Sequence, residues 1–164
     1  MVNSDLITQP KEAPNSVRLD ASDVVILREL VKDARIPNNV LAAKAGVAPS
    51  TCLSRVRALR DAGVIKGFHA EVDLEALGLG VYALISVRIH SHARARMLDI
   101  ARELSGLPNV LSLFLLGGDR DFLVHVASES PAALRDFIAA NLGANSNIAS
   151  IQTNLVFGHF SSAG

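Results

Sequence analysis

Two helical periodicities joined by a glycine and a proline constrain this chain more than any other feature. Val40 to Ala45 is stopped by Gly46, the natural left-handed residue after a helix, and Pro49 suits the first position of the next helix. The joint is four residues at most, which sets two helices across one another as in a helix-turn-helix. An earlier helix completes the unit. Asp20 caps it through the backbone amide of Asp23, and Leu19 with Val24 has the spacing of a hydrophobic staple. Val24, Leu27, Leu30, Val31 and Ala34 then recur at helical spacing before Pro37, and Asn38 or Asn39 can cap the second helix. Leu53, Val56 and Leu59 carry the third helix to Gly63.

At about 100° per residue the third helix sorts into faces. Cys52, Leu53, Val56 and Leu59 fall on one side, while Ser50, Thr51, Ser54 and Ala58 fall opposite, with Arg55 and Arg57 on the flanks. Small residues between long guanidinium arms fit a major groove, where a close helix reads base edges and arginines reach guanine or phosphate. An ordinary amphipathic helix with a solvated polar face has a similar pattern; charge helps to separate the two. The whole chain of 164 residues carries sixteen basic and sixteen acidic groups, which taken alone argues against a polyanion partner. That balance hides a split: residues 1–70 hold ten basic and seven acidic groups, residues 71–164 six and nine. From Arg35 to Lys66 six basic residues face the single acid Asp61. The candidate contacts to double-stranded DNA are therefore Lys44, Ser50, Thr51, Ser54, Arg55, Arg57 and Lys66.

After Gly63 the period changes. Val64 to Val72 reads as an extended strand interrupted at Gly67, and Asp73 to Gly80 as a turn, so the chain divides into a flexible tail at 1–17, a helix-turn-helix domain at 18–63, a linker strand and turn at 64–80, and a second domain at 81–164. The second domain alternates. Val81 to His90 is a strand, Ala93 to Leu104 a helix with Met97, Ile100, Ala101 and Leu104 on one face, and Val110 to Leu116 a strand. A turn at Gly117 to Arg120, a strand at Asp121 to Ala127, a helix opened by Ser130 and Pro131, and a last strand at Ile148 to Phe160 complete it. This is the β-α-β-β-α-β order of a ferredoxin-like module: one antiparallel sheet with both helices on one face. The fold class is α+β, a winged-helix-like helix-turn-helix domain followed by that module. Its strands are apolar on both sides, so the open face needs a cover, and a homo-oligomer supplies one.

Hydrophobic residues make up 49% of the chain, ample for a core. No apolar run approaches the ~18 residues a membrane span needs, and Met1 to Ser16 lacks the basic start and apolar stretch of a signal peptide, so no membrane partner and a cytoplasmic, nucleoid-associated location are expected. The lone cysteine, Cys52, is expected to be packed and inert. His69, His90, His92, His125 and His159 are scattered; His90 and His92 can share a face but have no third ligand. With no Gly-rich phosphate loop, nucleophile elbow or HExxH, neither a cofactor nor catalysis is expected.

In their order, these pieces resemble the Lrp/AsnC family of transcriptional regulators over about 140 of the 164 residues. The resemblance is carried by Leu19-Asp20, Leu41-Ala42, Gly46-Val47, Cys52-Leu53-x-Arg55-Val56-x-x-Leu59, Gly63-Val64-Ile65-x-Gly67, Ala76-Leu77-Gly78 and Gly118-Asp119-x-Asp121-Phe122. It implies a regulator that dimerises through the second domain, often assembles further into tetramers or octamers, and senses an amino acid near the loop Gly117, Gly118, Asp119, Arg120 and Asp121. Backbone amides at a Gly-Gly turn can hold a carboxylate, Asp119 or Asp121 an ammonium group, and Gln152 or Thr153 can complete the pocket. A plain hairpin turn uses the same residue types. Ala48 stands where the family usually has a serine cap, Arg120 where it is usually aromatic or apolar, and Gly117 where a hydroxyl is common. The alternative to an effector-tuned regulator is an architectural DNA-wrapping protein without effector response.

Overall fold

The computed structural model describes residues 18–158. The expected tail at 1–17 and the end of the expected last strand, His159 and Phe160, lie outside the described residues. The chain separates into two compact units between Glu71 and Val72.

In the first unit, α1 (Ala21–Lys32) starts on a reciprocal cap: Asp20 accepts the Asp23 amide at 2.9 Å and Asp23 accepts the Asp20 amide at 3.1 Å. Its buried face is centred on Ile26, with Leu27 and Leu30 packed beside it; Ala34, expected on that face, lies beyond the helix end and is exposed. In α2 (Asn38–Ala45) the N-cap is Pro37 rather than Asn38 or Asn39. Asn38 sits inside the helix, and its Nδ2 donates to the Pro49 carbonyl at 2.9 Å, tying the two ends of the turn together. Gly46 ends α2 at φ 67°, a left-handed conformation that glycine adopts without a Cβ clash, and the Val47 amide returns to Ala42 O at 3.1 Å. Then α3 (Pro49–Asp61) begins on Ala48, which offers no side-chain cap. Cys52 and Leu59 are fully or nearly fully buried and Val56 is partly so, but Leu53 is 43% exposed because it lies a quarter turn off their stripe.

The expected strand from Val64 to Val72 is not one. The amides of Val64 and Ile65 both donate to Leu59 O, at 2.9 and 3.1 Å, and beyond them the backbone joins no ladder. Extended backbone becomes a strand only by pairing with another, and this run pairs with no described strand; Phe68 and Val72 are exposed.

The second unit is the antiparallel sheet β2-β3-β1-β4, built from β1 (Val81–Ile89), β2 (Val110–Leu115), β3 (Phe122–Ser128) and β4 (Ile148–Val156). The expected helix from Ala93 divides into a 3₁₀ stretch, Ser91–Arg96, and α4 (Met97–Ser105); α5 (Pro131–Ile138) runs on into a wider turn at Ala139–Gly143. Strand alternation does the rest. Ala83, Ile85, Val87, Phe122, Val124 and Val126 all face the helices and bury against Ile100, Ala101, Leu104, Leu134 and Leu142. By the same alternation Tyr82, Leu84, Leu123, His125 and the exposed Phe114 share the opposite face, where the Tyr82 and His125 rings lie 6.3 Å apart.

Candidate nucleic-acid interface and ligand loop

On α3 the exposed residues Ser50, Thr51, Ser54 and Ala58, with Arg55 at their edge, line a shallow open depression of about 430 Å³. No side chain there is larger than threonine except that arginine. Arg57 is exposed on the far flank, and Lys66 is exposed just beyond the helix. Lys44 is tied back by an ion pair to Glu29 on α1, although half of its side chain remains open to solvent. Glu29 also pairs with Lys32 at 3.6 Å, and its carboxyl is held below the usual range, first by the Lys44 hydrogen bond.

Arg55 does something the sequence reading did not anticipate. Its Nη1 lies 2.6 Å from Asp20 Oδ2 and 2.9 Å from Asp23 Oδ1, so one nitrogen joins α3 to both carboxylates of the α1 cap. Asp23 is almost fully buried. The pairing raises the Arg55 pKa, Asp23 contributing before Asp20, and Asp20 is lowered first by the Asp23 amide and then by Arg55.

In the second unit the loop Gly117–Asp121 joins β2 to β3 and is closed by the Leu116 amide on Asp121 O at 2.9 Å. The five loop residues do not act alike. Gly118 has φ 129° and makes the turn. Asp121, expected as an ammonium partner, turns inward: its Oδ2 accepts the Ile89 amide at 2.8 Å and its Oδ1 lies 3.4 Å from Arg94 Nη2, with the side chain 5% exposed. The β1–β3 ladder ends at the pair Val87 and Phe122, and the buried carboxylate satisfies the Ile89 amide just beyond that end. Asp119 is open, 3.5 Å from Arg120 Nε and 3.8 Å from Arg88 Nη1. Arg120 reaches across β1 to β4, donating to Ser150 Oγ at 3.1 Å and Gln152 Oε1 at 3.3 Å. Gln152 therefore belongs with the loop, and Ser150 joins it unforeseen. Thr153 does not: it pairs with Ile85, whose side chain faces the helices, so it lies on the other side of the sheet from Gln152.

The rings of His90 and His92 stack at 5.3 Å, and no group of three or more metal-ligating side chains occurs among the described residues. No described helix is long and apolar enough to cross a membrane.

Comparison with known families decides what these two surfaces belong to, since the Lrp/AsnC ligand binding domain matches residues 82–163, half of the chain. The protein is a member of the Lrp/AsnC family. A winged helix-turn-helix DNA-binding family matches residues 19–66 of the same chain. This Lrp/AsnC protein is 43% identical over 158 residues to the HTH-type transcriptional regulator AldR of Mycolicibacterium smegmatis, covering 94% of this chain and 92% of that one. Its fold matches the crystal structure of MtbAldR with a TM-score of 0.80 at 37% identity, covering 89% and 96% of the two chains. It also matches a transcriptional regulator of Neisseria meningitidis solved as a complex with L-methionine, with a TM-score of 0.80 at 30% identity, covering 88% and 93%. This Lrp/AsnC protein is thus a DNA-binding transcriptional regulator with a ligand-binding domain, and not an enzyme.

Proposed function

We propose that this regulator reads duplex DNA with the Ser50, Thr51, Ser54 and Ala58 face of α3 and answers an amino acid at the loop around Asp119 and Arg120. The DNA half rests on the small-residue strip of α3, which brings a helix ~20 Å long, at 1.5 Å per residue, close to base edges in a groove ~12 Å wide. Arg57, Lys66 and the open part of Lys44 supply phosphate contacts. The affinity of such an interface falls by roughly 0.9 in log units per phosphate contact for each log unit of salt.

The observation that carries the effector half is the pairing of Asp119 and Arg120 at 3.5 Å on an exposed loop. A free amino acid carries a carboxylate for the guanidinium and an ammonium group for the aspartate, and Gln152 adds an amide dipole beside them. The L-methionine complex of the Neisseria relative agrees with this chemistry. A second copy of the chain covers the Tyr82, Leu84, Phe114 and Leu123 face, and the effector shifts the assembly or its grip on the chromosome in the cytoplasm.

Calorimetric titration against the twenty amino acids tests the reading. A saturable signal lost in Asp119→Ala and in Arg120→Ala is expected, together with a mass in solution above that of one chain. No signal with any amino acid, combined with intact DNA binding, leaves the architectural DNA-wrapping reading in its place.

A further inference from the structure

We infer that Arg55 is a positioning residue: it fixes the recognition helix on α1 through Asp20 and Asp23 and does not itself hold DNA. The inference rests on α3 being the DNA-reading helix. Nη1 is engaged by both carboxylates, at 2.6 and 2.9 Å. Nε is buried out of contact with solvent and has no hydrogen-bond partner among the described residues. Only Nη2 remains outside these constraints, so the bidentate fork with which arginine grips guanine or phosphate is not available while the pairs persist. Asp23 cannot turn away cheaply, because its other oxygen accepts the Asp20 amide and its residue is 9% exposed.

The consequence is mechanical. Rotation of α3 about its own axis shifts every base-reading side chain on its outer face. The packing of α3 relies on a narrow stripe, Cys52, Val56 and Leu59, which resists separation better than rotation. A charged tether off the stripe's edge, on the side facing α1, resists rotation. The tether ends on the first turn of α1, which the reciprocal cap of Asp20 and Asp23 holds in place.

The test uses the full chain and a duplex that the unsubstituted chain selects from random-sequence DNA, with affinity measured over a range of salt and well below each variant's unfolding transition. Arg57→Ala serves as the phosphate-contact reference and lowers the salt slope by about 0.9. Arg55→Ala and Asp23→Asn each weaken binding by about tenfold or more, the scale of one lost base contact, with the slope unchanged, and the double variant is no weaker than either single one. If Asp23→Asn does not fold, Asp20→Asn replaces it, since asparagine keeps the cap acceptor while removing a carboxylate. Three results overturn the inference: a slope reduced by about 0.9 in Arg55→Ala with binding untouched in the aspartate variants; additive losses; or a lowered Tm with unchanged affinity of the folded protein, which describes a structural bridge only. Failure of the unsubstituted chain to bind any duplex in a salt-dependent way overturns the DNA reading beneath it, and is seen before any variant is compared.

Discussion

Asp121 Oδ2 accepts the backbone amide of Ile89 at 2.8 Å, and the Asp121 amide in turn donates to Val87 O at 2.9 Å. The pair staples the start of β3 to the end of β1 where the ladder with β4 loses register. A buried amide without an acceptor costs about 1–3 kcal/mol, so Asp121→Ala is expected to destabilise the second unit by that amount, whereas Asp121→Asn, which keeps an oxygen in place, costs less. Urea unfolding followed by circular dichroism measures the difference. The loop Gly117–Arg120 hangs from this staple, so on the proposed effector reading the calorimetric signal is expected to fall with stability in Asp121→Ala.

Gly118 and its neighbour Gly117 separate conformation from space. Neither would bring a new Cβ within 4 Å of another atom, yet only Gly118 has a positive φ, 129°. Gly118→Ala is expected to cost about 1–3 kcal/mol through backbone strain alone. Gly117→Ala stays within ~0.5 kcal/mol. Equal shifts in the urea midpoints of the two variants would show that the turn does not depend on its handed conformation.

Much of this was legible from residue spacing, and the exceptions have identifiable causes. Gly46 and Pro49 placed the turn between α2 and α3 because one needs a left-handed backbone and the other suits a helix start. Alternation in the C-terminal strands, with Ser130 capping the Ala133 amide at 3.1 Å, placed most of that fold. The extended run after Gly63 failed as a strand because pairing is a property of two segments, and one sequence segment does not show its partner. Arg55 was half legible: it stands about 70° from the centre of the Cys52, Val56 and Leu59 stripe while Arg57 stands about 130° away, so the two flanks were never equivalent. What spacing did not reveal is that the Asp20 and Asp23 side chains, beyond capping α1, also receive the Arg55 guanidinium, 32 residues downstream of Asp23. Gln152 and Thr153 were separable by the period of two, but only the ladder with Ser86 and Ile85 shows which of them looks toward Arg120.

Cys52 is fully enclosed in the first core, and burial pushes its thiol above the ordinary value. Both effects suppress the thiolate that reacts with alkylating and disulfide reagents. Modification at pH 8 is therefore expected to be at least ~100-fold slower in the folded chain than in urea, proceeding only through opening of the first unit. Rapid labelling of the native protein would contradict the packing of α3 on α1 and α2. Cys52→Ser is expected to cost about 1–3 kcal/mol, because the hydroxyl enters an apolar site.

The first unit also carries an acid-sensitive element with a determinable sign. Asp20 is held below its ordinary pKa, first by the Asp23 amide and then by Arg55, and Glu29 is held low, first by the Lys44 hydrogen bond. A carboxyl depressed in the folded state binds protons more weakly there than in the unfolded chain. Its contribution is therefore complete above the unfolded values near ~4 and is lost as pH falls through the folded ones. From pH 7 to about 5 these groups leave the Tm unchanged; below about pH 4 it falls. Asp20→Asn keeps an acceptor for the Asp23 amide but no longer titrates, so the acid fall in Tm is shallower in the variant, even if its Tm at pH 7 is lower. Because one partner of each pair, Asp20 and Lys44, is half exposed, high salt weakens the Arg55 and Lys44 contributions and compresses the difference between the two pH profiles. Parallel profiles at low salt, with the same loss between pH 4 and pH 2, would assign the acid sensitivity to other carboxylates and leave Asp20 as a cap whose charge is immaterial.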